Sequence, residues 1–390
     1  MIRIAVLTAT RAEYGLLSPV IKRMQNDSDI DLRVVVTGAH LSPEFGCTYK
    51  EIEADNIQID EKIGILENGD GAVAISKTMA NALAKFGEYF DRRRPDTLLV
   101  LGDRYETLAV CIAATNAQIP IIHMHGGETT QGAIDEAVRH SITKMSYLHF
   151  TSTEDYRHRV IQLGENPSRV FAVGATGVEN ALKIPLMSKE ELEASLDFKL
   201  NTPYIVATYH PVTLDKMGID EQISEFLSAL DEKPEYTYII TKANADAGGR
   251  RINEFLETYA KEHSNVHVVA SLGVKRYLSA LKYCYMVIGN SSSGLIEVPS
   301  FHVPTVNIGD RQKGRTHAQT VIDCEPDKDS ILRAMETAES DEFRRCCEEA
   351  VNPYEKADVA KNIVDIVKRE MLDKTIDLKK EFYDIQFQEV

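Results

Sequence analysis

The sequence predicts an α/β protein built as two successive doubly wound units, each on a parallel sheet. Three observations carry that prediction. Short β-branched runs alternate with helical patterns along most of the chain, as parallel sheets covered by helices require. The 390 residues exceed what one ordinary core holds. The alternation loosens once, over residues 176–203, and then restarts.

Ile2–Leu7 predicts the first strand, followed by a loop and an apolar helix from about Leu16 to Gln25. Leu32–Thr37 predicts the next strand, ending in TGAHLSPEFG, and residues 71–94 read as a helix. Leu98–Leu101, Ile119–His123 and Leu148–Thr151 follow as strands with helices between them, and Val170–Val173 closes this half. MSKEELEASL starts a helix inside the looser stretch. Tyr204–Thr208 opens the second run, continued by Tyr236–Thr241, Val266–Val269, Met286–Ile288 and Pro304–Ile308. The stretch from about Val359 to Leu372 is helical, and the FYDIQF ending is too apolar for a free tail. The expected bounds are 1–178 for the first domain and 200–371 for the second, with 372–390 packing back on the first. No short-period repeat is visible.

Composition narrows the function. An apolar share of 43% with 27% charged residues describes a soluble globular protein. No run approaches the roughly eighteen apolar residues of a membrane span. The opening MIRIAVLTATRAEYG enters a strand at once without a signal-peptide layout, so a cytoplasmic protein is expected. The net charge of −16 argues against a nucleic-acid surface. A local Arg cluster still permits a small anionic ligand. The six cysteines form no CxxC pair and read as reduced, structural thiols.

Residues 97–140 concentrate the chemistry. Leu98–Leu101 runs into Asp103, Arg104 and Glu106; Ile119–Ile122 runs into His123, His125 and Glu128, then Asp135, Glu136, Arg139 and His140. Ligands of open parallel sheets bind beyond the carboxyl ends of the strands, so acids and bases there predict proton transfer. Blander readings stand beside this one. Asp103 suits a helix N-cap, and Asp135 with Arg139 suits a surface pair at i, i+4. At most one of His123 and His125 is expected to line the site. His123, His125, Glu128 and Asp135 could supply metal ligands, but no HExxH-type motif supports that minority reading.

A second concentration lies at GNSSSGLIEVPS, residues 289–300. Small residues let backbone N–H groups converge where a strand meets a helix, a setting that favours anions. Ser291 and Ser292 add donors, and Glu297 could accept from ribose hydroxyls. The bland alternative is a serine-rich N-cap. RQKGR, ending in Arg315, follows the next strand and suits phosphate clamping. Arg11 ends the first strand, where pairing with Glu13 is the plain alternative. His40 and His210 each sit just past a strand, one per half, facing the expected interdomain cleft. Neither a Walker A loop nor GxGxxG is present, which argues against a nicotinamide cofactor.

GDRYE, HGGE, DEAVRHSITKMS, TSTEDY, RVIQLGE, NADAGG, GNSSSGLIEVPS and NIGDRQKGR run in order along the chain. Together they closely resemble the hydrolysing UDP-N-acetylglucosamine 2-epimerases of the bacterial sialic-acid type. The resemblance implies a glycosyltransferase-B-like fold of two Rossmann-like domains with a cleft between them. It implies conversion of UDP-N-acetylglucosamine and water to N-acetylmannosamine and UDP through 2-acetamidoglucal, without metal or redox cofactor. By motif, the uridine diphosphate site is Arg11, Asn244, Ser291, Ser292, Glu297 and Arg315. Proton transfer and sugar contact fall to Asp103, Glu128, Asp135 and His210, with Arg139 and His40 in support.

Two positions depart from that pattern. Leu16 stands where many relatives carry Lys, and His125 stands where many carry a Glu with a catalytic role. The TTQGAI loop is one residue longer than theirs, so His125 or Glu128 is expected to do that work. The same chemistry on a UDP-2,4-diacetamido-trideoxy sugar, a retaining glycosyltransferase and a sugar-nucleotide sensor are the alternatives. The resemblance further implies a homo-oligomer, dimer or tetramer, with no nucleic-acid or membrane partner.

Overall fold

The computed structural model describes residues 1–131, 133–200, 203–212, 217–243, 248–372 and 376–386. The chain divides into two compact units. The first comprises Met1–Glu128, Asp135–Glu179 and Lys356–Val390; the second comprises Thr129–Ile134 and Asn180–Glu355.

The first unit is built on a parallel sheet of β1 (Ile2–Thr8), β2 (Ile30–Thr37), β3 (Ile59–Ile63), β4 (Thr97–Leu101), β5 (Ile121–Met124), β6 (Leu148–Thr151) and β7 (Val170–Ala172). Their spatial order is 3-2-1-4-5-6-7, so the winding reverses between β1 and β4. Residues just after those two strands therefore occupy the crevice where such sheets bind ligands. Alternate residues of β1 feed two cores. Ile4 and Val6 face the Arg11–Gln25 helix, while Ala5 and Leu7 face the Ala72–Arg93 and Tyr105–Asn116 helices.

The first helix starts at Arg11, not near Leu16, because a capping box nucleates it earlier. The Thr10 hydroxyl accepts from Glu13 N at 3.3 Å, and the Glu13 carboxylate accepts from Ala9 N at 2.7 Å and Thr10 N at 3.1 Å. Arg11 thus sits in the first helical turn. The pattern also missed β3, an edge strand whose residues are mostly half-exposed and polar. The helix Val359–Met371, expected in the second half, packs into the first core through Val359, Ile363, Val364 and Val367. Its apolar stripe complements the Arg11–Gln25 helix, a pairing no local pattern reveals.

The second unit carries β8 (Tyr204–Thr208), β9 (Thr237–Thr241), β10 (Val266–Val269), β11 (Met286–Gly289), β12 (Thr305–Ile308) and β13 (Val321–Cys324), all parallel, in the order 10-9-8-11-12-13. The edge strand β13, half-exposed beyond Val321, was also missed. The switch point lies between β8 and β11. Gly289 ends β11 at φ +133°, and a Cβ there would lie 1.9 Å from the Thr208 carbonyl oxygen, so only glycine fits. Among the described residues no helix is long and apolar enough to cross a membrane.

Candidate active site

In the first unit Arg139 organises the acid cluster. It lies on the Asp135–Met145 helix and is only 1% exposed. Its Nη2 pairs with Asp103 Oδ2, its Nη1 donates to the Glu128 carbonyl at 3.0 Å, and Glu136 lies at 3.3 Å. One guanidinium therefore joins the turn after β4, the turn after β5 and its own helix. This corrects two of the blander readings. The N-cap of Tyr105–Asn116 is Arg104, not Asp103, and a buried Arg139 makes no surface pair. Asp135 is the half-buried first residue of the same helix, one turn before Arg139.

His125 follows the end of β5 in a left-handed conformation, φ +64°. Its Nδ1 lies 2.8 Å from Glu128 Oε1, and Ser152 Oγ donates to the same oxygen at 2.8 Å. His125 and Glu128 are both buried, and among the described residues His125 Nε2 has no hydrogen-bond partner. With Glu128 ionised, Nδ1 carries the hydrogen and Nε2 presents its lone pair. The turn requires glycine at Gly127, whose Cβ would lie 2.4 Å from the Tyr156 carbonyl oxygen.

His123 does different work. Its Nε2 lies 2.8 Å from the Gly102 carbonyl and its Nδ1 3.3 Å from Thr143 Oγ1. Burial pushes its pKa down to about 3, so the neutral ring donates to Gly102 and accepts from Thr143. Both nitrogens are occupied, and the ring ties β5 to the turn that carries Asp103.

His40 was expected to face a ligand. Instead it is fully buried, with Nε2 2.9 Å from Thr8 Oγ1 and Nδ1 2.8 Å from Thr48 Oγ1. Burial, reinforced by the charge of Arg11, lowers its pKa to about 4. It is a scaffold residue that braces β1 at the switch point, and no ring nitrogen remains for a substrate. Arg11 is half-buried at the start of its helix, and Leu16 packs against the core.

In the second unit Asn290 clamps His210 across the switch point. The His210 N–H donates to Asn290 Oδ1 at 2.7 Å, and Asn290 Nδ2 donates to the His210 carbonyl at 2.7 Å. The Asn290 carbonyl in turn accepts from Gln312 Nε2 at 2.8 Å and Arg311 Nη1 at 3.2 Å. The Ser-rich turn and the RQKGR loop are thus one hydrogen-bonded unit.

The helix expected after GNSSSG is only Ser293–Ile296, followed by a 3-10 turn over Val298–Phe301 that contains Pro299. So short a helix adds little dipole, and the backbone and hydroxyl donors of the turn carry the anion argument instead. Ser292 makes no side-chain cap, against the plain N-cap reading. Ser291 and Ser292 are half-buried, whereas Ser293 Oγ is engaged with the Tyr277 hydroxyl at 2.9 Å. Glu297 is buried on the same element, and Arg315 Nε donates to the Thr129 carbonyl at 2.7 Å. Asn244 lies outside the described residues. Sequence reasoning missed Ser152, Asn290 and Gln312. The one signal for Asn290 was its place at the end of a central strand.

Residues 22–368 match the family model described as UDP-N-acetylglucosamine 2-epimerase. The chain is 43% identical to the GDP/UDP-N,N'-diacetylbacillosamine 2-epimerase (hydrolyzing) of Campylobacter jejuni, covering 88% of this chain and 89% of that protein. It is 42% identical to the polysialic acid biosynthesis protein P7 of Escherichia coli, covering 99% and 98%. It is 36% identical to the UDP-N,N'-diacetylbacillosamine 2-epimerase (hydrolyzing) of Legionella pneumophila, covering 86% and 88%. Among solved structures, the UDP-GlcNAc 2-epimerase of Neisseria meningitidis bound to UDP-GlcNAc superposes with a TM-score of 0.79 at 19% identity, over 95% of this chain and all of that one. That likeness establishes a glycosyltransferase-B-like fold of two Rossmann-like units. By family model and by relatives alike, the chain belongs to the UDP-N-acetylglucosamine 2-epimerase family.

Proposed function

We propose that this protein is a hydrolysing 2-epimerase that converts UDP-N-acetylglucosamine and water to N-acetylmannosamine and UDP, for sialic-acid biosynthesis. The observation that carries the reading is the buried His125–Glu128 pair beside Asp103 and Arg139, in a chain whose relatives at 43% and 36% identity are named hydrolysing. A base takes the C2 proton while the C1–O bond breaks and its electron pair leaves with UDP. Water then adds at C1 of the 2-acetamidoglucal, and C2 is protonated from the opposite face.

His125 Nε2 is assigned to one of these proton transfers, with Glu128 fixing its tautomer. The Glu128 carboxylate is already engaged by Ser152, which leaves His125 Nε2 as the open atom of the pair. Asp103, held by Arg139, and Asp135 take the other proton transfer and the sugar hydroxyls. Arg11, Ser291, Ser292, Glu297 and Arg315 are assigned to the uridine diphosphate, where cations and aligned donors stabilise the departing charge. His210 is assigned to the sugar side of the second unit.

A second substrate has specific support: the Campylobacter and Legionella relatives carry names that specify diacetylbacillosamine. The name of the 42% relative, matched over nearly the whole chain, favours the sialic-acid route. Incubation with UDP-N-acetylglucosamine in deuterated water should release UDP and N-acetylmannosamine carrying deuterium at C2. Product without deuterium at C2 rules out the elimination route. Side-by-side kcat/KM on the 2,4-diacetamido substrate decides between the two sugars.

A further inference from the structure

The C-terminal segment carries a lysine placed against the helix of the acid cluster. The last carbonyls of a helix lack intrahelical partners. At the end of Asp135–Met145, Lys380 Nζ donates to the Lys144 carbonyl at 2.9 Å and the Ser146 carbonyl at 2.7 Å. The same ammonium pairs with Glu165 Oε2 at 2.7 Å. Glu165 is buried and also receives Lys144 Nζ at 2.7 Å and His149 Nε2 at 3.1 Å. Burial works to raise its carboxyl, but the bond from His149 and the two ammonium groups outweigh that and hold it at about 2. A cation at a helix C-terminus is also favoured by the helix dipole.

The rest of the segment touches the first unit at Ile376, which packs against its core, and at Gly164. Tyr383 N donates to the Gly164 carbonyl at 3.0 Å, and the Phe382 ring lies where a Cβ on Gly164 would be, 2.3 Å from it. Yet Phe382 is 62% exposed and Tyr383 41% exposed. These two rings bury little, so beyond Ile376 the polar contacts of Lys380 anchor the segment.

We infer that Lys380 is a positioning residue for proton transfer: it caps the helix bearing Asp135 and Arg139 and so holds Arg139 in register with Asp103 and Glu128. The inference rests on the functional reading above. An eleven-residue helix is marginal without tertiary support, and a small misplacement of reacting groups costs rate steeply.

The test compares wild type, K380M and K380R in the full chain by steady-state UDP release and by amide hydrogen exchange. K380M should lower kcat roughly tenfold while leaving KM within about twofold, because the nucleotide contacts are untouched. Exchange should quicken in residues 142–146 and stay unchanged in the second unit. K380R, which keeps charge and donors, should restore most of both. Wild-type kcat in K380M overturns the inference, as does lost activity with exchange quickened uniformly across the chain. A wild-type protein that releases no UDP defeats the functional reading instead, and the exchange comparison still tests the cap.

Discussion

Arg139 is buried to 1% exposure and spends its guanidinium on Asp103, with a further bond to the backbone of Glu128. The side chain therefore fixes the spacing of two turns that leave different strands. Removing the charge with R139M leaves Asp103 without this partner, and the expected cost is about 3–5 kcal/mol in urea unfolding. R139K keeps the charge but lacks the fork that reaches both turns. It should fold nearly as well while UDP release drops about a hundredfold. Full activity in R139K would show that this stitching is dispensable.

Glu128 takes two donors on one oxygen, His125 Nδ1 and Ser152 Oγ. E128Q retains the shape but removes the anion that fixes the His125 tautomer. It should lower kcat by about 10³-fold with little change in KM, and H125Q should do the same. The double variant should be no worse than either single one, as expected for groups that act as a unit. S152A removes one bond only and should cost about tenfold. Additive losses in E128Q/H125Q would mean that the two residues serve separate steps.

The Asn290 amide is the second unit's counterpart. Both of its polar atoms bond the His210 backbone at 2.7 Å in a fully buried setting. N290A removes both bonds to the buried His210 backbone, at about 1–3 kcal/mol each. The expected signature is a lowered melting temperature together with weaker UDP binding by calorimetry. Wild-type UDP affinity in N290A would detach the clamp from the nucleotide side.

The buried strands were legible because each is a short, largely apolar run; Leu148–Thr151 and Tyr204–Thr208 fall where the sequence predicts. The edge strands β3 and β13 were not, since the charged residues of IDEKI and VIDC interrupt the apolar run that the edge strand β10 keeps as VHVV. The cluster of Asp103, Glu128 and Arg139 was legible as composition at strand ends, but its stitching was not. That Arg139 bonds a carbonyl after β5, and that Asn290 bonds a backbone 80 residues away, depends on sheet order. His40 shows the converse: a histidine just past a strand looks like a ligand until both its nitrogens are found bonded to threonines.

Glu13 gives the protein a pH dependence opposite in sign to that of its buried histidines. Its carboxyl group is buried, and Oε1 has no partner among the described residues. Burial, opposed by Arg104 and reinforced by Glu106, raises its pKa from 4.5 to about 7. Between those values the folded chain holds a proton that the unfolded chain has released. Stability from this group therefore falls as pH rises through that window, by about 3 kcal/mol in all, and is level above it. His40 and His123, held neutral near 4 and 3, act the other way: they lose stability as pH falls below 6.5. E13Q keeps an acceptor for Ala9 N and Thr10 N but cannot ionise. Exchanging oxygen for an amide nitrogen adds a constant offset, so the slope is the quantity to read. Urea unfolding at pH 4.5, 6 and 8 should show E13Q gaining on wild type steadily with pH. A difference that stays constant across the three pH values would mean that Glu13 keeps an ordinary carboxylate pKa in the folded chain.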